Sequence, residues 1–108
     1  MSGITTHVLD TSRGCPAAGV PVVLERAVNG GWEAVARGAT DADGRASDLL
    51  TSIPTDGHYR LTFDTGAYFG DAGFYPEVSV TFAVACGEEH YHVPLLLSPF
   101  GYSTYRGS

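Results

Sequence analysis

The chain has 108 residues, 44% hydrophobic and 17% charged, a composition that suits one globular domain over residues 1–108 with a single core and excludes a disordered polymer. Six Lys and Arg against twelve Asp and Glu give a formal charge of −6 and a pI near 4.9, so nucleic acid is not an expected partner, because phosphate binding needs clustered cations. No apolar run is long enough to span a membrane, and the start, Met-Ser-Gly-Ile-Thr-Thr-His, lacks the basic and apolar segments of a signal peptide, so the expected compartment is the cytoplasm.

A strand is expected from about Ile4 to Leu9, with Val8 facing inward and Thr5, His7 and Leu9 outward. Between Val20 and Thr40 two β-rich runs flank Asn29-Gly30-Gly31, a sequence suited to the positive φ angles of a hairpin turn. Asp41-Ala42-Asp43-Gly44 has the first half of a calcium loop but not its remaining ligands or terminal Glu, and is read as a β-turn. Arg45 follows that turn, where a guanidinium can present a rigid fork to an anionic or carbonyl-rich ligand; taken alone, it reads rather as a surface charge before Ser47-Asp48-Leu49-Leu50.

Alternation is firm in the second half. Tyr59, Leu61 and Phe63 oppose Arg60, Thr62 and Asp64; Val78, Val80, Phe82 and Val84 oppose Glu77, Ser79, Thr81 and Ala83; Tyr91, Val93, Leu95 and Leu97 oppose His90, His92, Pro94 and Leu96. A last strand is expected from about Tyr102 to Arg106, for a total near seven, the count of a sandwich. The one helix is expected from Thr65 to Ala72, capped by Asp64 or Thr65 and ended by Gly73. Cys15 and Cys86 are too few for a disulfide framework and read as a loop thiol and a strand-end residue.

Of the four histidines, His7, His90 and His92 project from outward faces that also carry Leu9, Pro94 and Leu96. Outward histidines are ordinarily just solvated, but a face this apolar marks an oligomer contact, where partial desolvation would keep imidazoles neutral and able to act as bases. A zinc site built on His7, His90 and His92 is the weaker reading, since no Cys or acidic ligand lies near them in sequence.

The end of the chain, Leu96-Leu97-Ser98-Pro99-Phe100-Gly101-Tyr102-Ser103-Thr104-Tyr105-Arg106-Gly107-Ser108, closes on Tyr-Arg-Gly-Ser, which resembles the signature ending of the transthyretin-like family of 5-hydroxyisourate hydrolases. Thr5-Thr6-His7-Val8-Leu9-Asp10, Thr40-Asp41-Ala42-Asp43-Gly44-Arg45 and Phe74-Tyr75-Pro76-Glu77-Val78 resemble the same family in the same order, over nearly the whole chain. Cys15 is a departure, lying outside these motifs. The resemblance implies an all-β, transthyretin-like sandwich of two four-stranded sheets with one short helix. It also implies a homotetramer, a dimer of dimers whose interface channel holds metal-free active sites needing no cofactor. Residue by residue it implies His7, Arg45 and His92 as the catalytic set, Tyr105 and Ser108 as substrate contacts, and His90 as a lesser neighbour. Two other readings stand beside it: a carrier that binds an aromatic ligand in the same channel without turnover, and an accessory sandwich of a larger enzyme. The catalytic set and the Tyr-Arg-Gly-Ser ending oppose the first, and the lack of linker composition opposes the second.

Overall fold

The structure, a computed structural model, describes residues 2–85 and 87–108. Among the described residues nine strands run in chain order as β1 (Gly3–Asp10), β2 (Cys15–Pro16), β3 (Pro21–Val28), β4 (Gly31–Ala39), β5 (Arg45–Leu50), β6 (Gly57–Phe63), β7 (Val78–Val84), β8 (His90–Ser98) and β9 (Gly101–Thr104). Helix α1 (Thr65–Phe69) and a 3-10 turn over Gly70–Ala72 lie between β6 and β7. Among the described residues no helix is long and apolar enough to cross a membrane.

One sheet has the order β4-β3-β6-β7, antiparallel throughout. In the other, β1 pairs in parallel with β8, β8 in antiparallel with β9, and the free edge of β1 is shared by β5 and the two-residue β2. The expected two four-stranded sheets are thus present, with β2 as a short addition. The hairpin turns at Asn29-Gly30, and Cys15 sits half-buried in β2 rather than in a loop. Cys86 lies outside the described residues.

The inward rows of the two sheets close on one another as the alternation requires. Ile4, Val8, Tyr91, Val93, Leu95 and Leu97 from one sheet meet Val22, Leu24, Tyr59, Leu61, Phe63 and Val78 from the other, and all are buried. Burying each such side chain contributes about 1.5–3 kcal/mol against its chain entropy. Two polar residues share the inward row of β1. The Thr6 hydroxyl donates to the Val93 carbonyl at 2.6 Å, and the Asp10 carboxylate accepts from the Ser12 hydroxyl and amide, the Arg13 amide and the Tyr68 hydroxyl. Burial alone would raise the Asp10 pKa; the hydrogen bonds from Ser12, Tyr68 and the Arg13 amide outweigh it and hold the carboxyl below its ordinary value.

The Tyr68 bond also ties α1 to the sheet that contains β1. The helix is capped by Asp64, whose carboxylate accepts from the Ala67 amide at 3.0 Å, while the neighbouring Thr65 is fully buried and donates instead to the Tyr75 carbonyl. The α-helical part ends at Gly70, and only the 3-10 turn continues to Ala72.

The Asp41–Gly44 turn is the element that carries the fold to the site. The Asp41 carboxylate accepts from the amides of Asp43 and Arg45, the Gly44 amide donates to the Asp41 carbonyl, and the Val8 amide donates to the Gly44 carbonyl. Gly44 has φ +77°, and a Cβ there would stand 2.4 Å from the Val8 carbonyl oxygen, so both conformation and space demand glycine. Gly44→Ala is therefore expected to cost more than the roughly 1–3 kcal/mol of a left-handed residue alone. Gly30→Ala, at φ +80° with nothing within 4 Å, should stay near the low end of that range. Urea unfolding of the two variants checks the order.

Candidate active site

The outward row of β1 carries Thr5, His7 and Leu9, and the registers of β5 and β8 decide what stands beside them. Antiparallel pairing sets Arg45 directly opposite His7. Parallel pairing sets His90 opposite Gly3, His92 opposite Thr5 and Pro94 opposite His7. One sheet face therefore gathers Thr5 and His7, Arg45, and His90 and His92, from three stretches far apart in sequence. A cavity of 200 Å³ opens on this face, lined by Thr5, Thr6, Arg45, Ser47, His90, His92 and Ser108.

His7 is held by its neighbouring turn. Its Nε2 lies 2.9 Å from the Asp43 carbonyl oxygen, which can only accept, so Nε2 carries the proton and a neutral His7 keeps its lone pair on Nδ1. The rings of His90 and His92 stack with centroids 6.3 Å apart and planes within 18°. Between them the Thr5 hydroxyl stands 3.0 Å from His90 Nε2 and 2.8 Å from His92 Nδ1. Among the described residues no three His, Cys, Asp or Glu side chains are placed to hold a metal ion.

The cation is left available to a ligand. Among the described residues the ion pairs are Arg60–Glu25 and Arg106–Glu88, and Arg45 enters neither. The nearby Asp41 is held below the ordinary carboxyl value mainly by the Arg45 amide, so its charge serves the turn.

The C-terminal segment closes the site from one side. The Gly107 amide donates to the His92 carbonyl at 2.8 Å, and a Cβ on Gly107 would stand 2.6 Å from His92 Cδ2, so only glycine lets the chain pass over that ring. Ser108 thereby reaches the cavity. Arg106 lies over the Tyr91 ring, 4.6 Å to its centroid, and leans toward Glu88. Tyr105 goes elsewhere: it is 56% exposed and lines a separate apolar groove of 250 Å³ against Val80–Ala83 of β7. His58 lies exposed on β6, in the other sheet.

Of the residues expected from sequence, the structure brings Arg45, His92 and Ser108 to one cavity and His7 to its flank, promotes His90 to the cavity wall, and sets Tyr105 apart. The sequence reading passed over Thr5, Ser47 and Gly107. Thr5 had a signal, since it shares the outward row with His7 and bears a hydroxyl on a face otherwise apolar or imidazole.

Burial first, then the proximity of His90, His7 and Arg45, holds His92 below the ordinary histidine value of about 6.5, with the Thr5 backbone partly opposing. A depressed pKa keeps the ring neutral to lower pH, so the His92 midpoint followed by NMR should fall below 6.5. Arg45→Ala should raise that midpoint only in part, because burial remains.

Three comparisons bear on this arrangement. A curated 5-hydroxyisourate hydrolase of Halalkalibacterium halodurans is 51% identical, with all of each chain covered. The solved 5-hydroxyisourate hydrolase of Klebsiella pneumoniae is 40% identical with a TM-score of 0.85, covering 100% of this chain and 94% of that one. Transthyretin from Sparus aurata is 36% identical with a TM-score of 0.89, covering 99% and 97%. The model of the HIUase/Transthyretin family matches residues 4–107, and this chain belongs to that family.

Proposed function

We propose that this chain hydrolyses 5-hydroxyisourate to 2-oxo-4-hydroxy-4-carboxy-5-ureidoimidazoline, a step of urate degradation, by histidine- and arginine-assisted attack of water. The observation that carries the reading is one sheet face with three imidazoles and a guanidinium that enters no ion pair among the described residues, around a cavity that Ser108 lines. Curated relatives at 46–51% identity over the whole chain bear the hydrolase name.

Opening a cyclic carbonyl ring needs a nucleophilic water, a base for its proton and a positive group for the oxyanion that develops. His92 and His7 each keep a ring nitrogen able to take a proton from water, and Arg45 stabilises the charge growing on the carbonyl oxygen. Ser108 fixes the substrate by hydrogen bonding. Tyr105 reaches substrate only where a second subunit brings its groove to the same channel, which joins its role to assembly. The product is a carboxylate, and a site with one strong cation binds the transition state without trapping it.

The assembly proposed is a homotetramer, a dimer of dimers. β7 and β9 end their sheets with one neighbour each, leaving backbone donors and acceptors for a second copy, and Phe74, Phe100, Tyr102 and Tyr105 are exposed nearby. The carrier reading draws on the transthyretin likeness, which exceeds that to the hydrolase in TM-score. Backbone likeness does not separate the two, and the basic, hydrogen-bonded face favours turnover.

The test generates 5-hydroxyisourate in place with urate oxidase and follows its decay with and without this protein. Acceleration that persists in chelator and falls about 10²–10⁴-fold in His92→Ala and in Arg45→Ala would bear the reading out. No acceleration by the folded protein would leave the carrier. Light scattering should give a mass of four chains, and a monomer with full activity would overturn the channel.

A further inference from the structure

Thr5 is 6% exposed, and its hydroxyl has one proton to give and lone pairs to receive. It faces two imidazole nitrogens at hydrogen-bond distance, so it cannot donate to both. Full satisfaction of this hydroxyl leaves two arrangements. In the first, His92 Nδ1–H donates to Oγ1 and the Thr5 O–H donates to His90 Nε2, so both neutral rings are Nδ1–H tautomers. In the second, His90 Nε2–H donates to Oγ1 and the Thr5 O–H donates to His92 Nδ1, so both are Nε2–H tautomers. The two rings cannot choose independently.

The surroundings select the first. Arg45, which only donates, lines the cavity with His92 and favours a lone pair on the ring nitrogen not bound to Thr5. His90 also lines a second, polar cavity that holds Glu88 and Glu89, which accept, and Arg106, which donates, so its tautomer is set from the other side. Through the shared Thr5 hydroxyl, the tautomer that Arg45 favours at His92 fixes that of His90.

We propose that Thr5 is a positioning residue that holds His92 and His90 as Nδ1–H tautomers, so that His92 Nε2 presents its lone pair to the attacking water. The proposal rests on the hydrolase reading of this cavity. When water gives up a proton, its O–H bond breaks, an N–H bond forms at His92 Nε2, the oxygen's electron pair forms a bond to the carbonyl carbon, and the C=O π pair moves onto the carbonyl oxygen as an oxyanion. Both bonds to Thr5 survive that step unchanged, so the hydroxyl does not turn during reaction. In the second arrangement Nε2 already carries a proton and His92 is no base.

Long-range ¹H–¹⁵N spectra of the neutral imidazoles in the wild-type protein should show His90 and His92 both as Nδ1–H tautomers, and Thr5→Val should move them toward Nε2–H. In turnover, Thr5→Val should lose about 10–100-fold in kcat with KM within about twofold, and Thr5→Ser, which keeps the hydroxyl, should recover most of it. Nε2–H tautomers in the wild type would overturn the proposal even if Thr5→Val did not fold. So would unchanged tautomers in Thr5→Val, or a Thr5→Ser variant as slow as Thr5→Val. A wild type that shows the Nδ1–H pair but no turnover would remove the hydrolase reading and, with it, the role of base assigned to His92.

Discussion

The parallel pairing of β1 with β8 is the constraint on which the site depends. Eight consecutive residues pair in register, from Gly3 with His90 to Asp10 with Leu97. Because side chains alternate, that register puts Ile4, Val8, Tyr91, Val93, Leu95 and Leu97 into the core and Thr5, His7, His90 and His92 on the other side. A slip of one residue would bring the histidines of one strand into the sandwich and expel its apolar row, so the core's packing energy is also what fixes the site's geometry. Thr6, buried in the inward row, adds a hydrogen bond to the Val93 carbonyl that only this register permits.

Electrostatics follow from that placement. The chain is acidic overall, yet its site is an island where carboxylates are turned to other work. Asp41 organises the turn before Arg45, Asp10 closes the loop after β1, and Glu88 leans toward Arg106. Arg45 faces half-buried imidazoles, and burial first, then the proximity of His90, His7 and Arg45, lowers the affinity of His92 for protons. The cation thus adds to the burial that keeps this imidazole neutral to lower pH.

How much of this was legible in the sequence depends on how regular each strand is. The strands at Tyr59–Phe63, Val78–Val84 and Tyr91–Leu97 alternate without interruption and were read with nearly the observed bounds. β5 was missed because a register shift between Ile4 and Thr6 interrupts its ladder, so its buried residues, Ala46 and Leu49, fall three apart and the period of two disappears. Arg45 consequently looked like a surface charge until family resemblance raised it. The last strand was read too long, because the chain leaves β9 after Thr104 and returns to β8 only at the bridge between Gly107 and His92. That departure separates Tyr105 from Ser108, a difference that no alternation pattern encodes.

5-Hydroxyisourate hydrolase and transthyretin share nearly the same backbone with this chain, so what distinguishes them lies in side chains the core does not need. Thr5, His7, Arg45, His90 and His92 face outward, and replacing them would leave the buried rows of both sheets as they are. Gly44 and Gly107 belong to another category. Each stands at a close approach of backbone to a strand or ring, and each delivers a residue of the cavity wall, Arg45 or Ser108, immediately after it. The site is thus assembled from chemical groups free to vary and two backbone passages that are not. Loss of a chemical group would leave a folded protein with an altered ligand, whereas loss of either passage would displace the groups that remain.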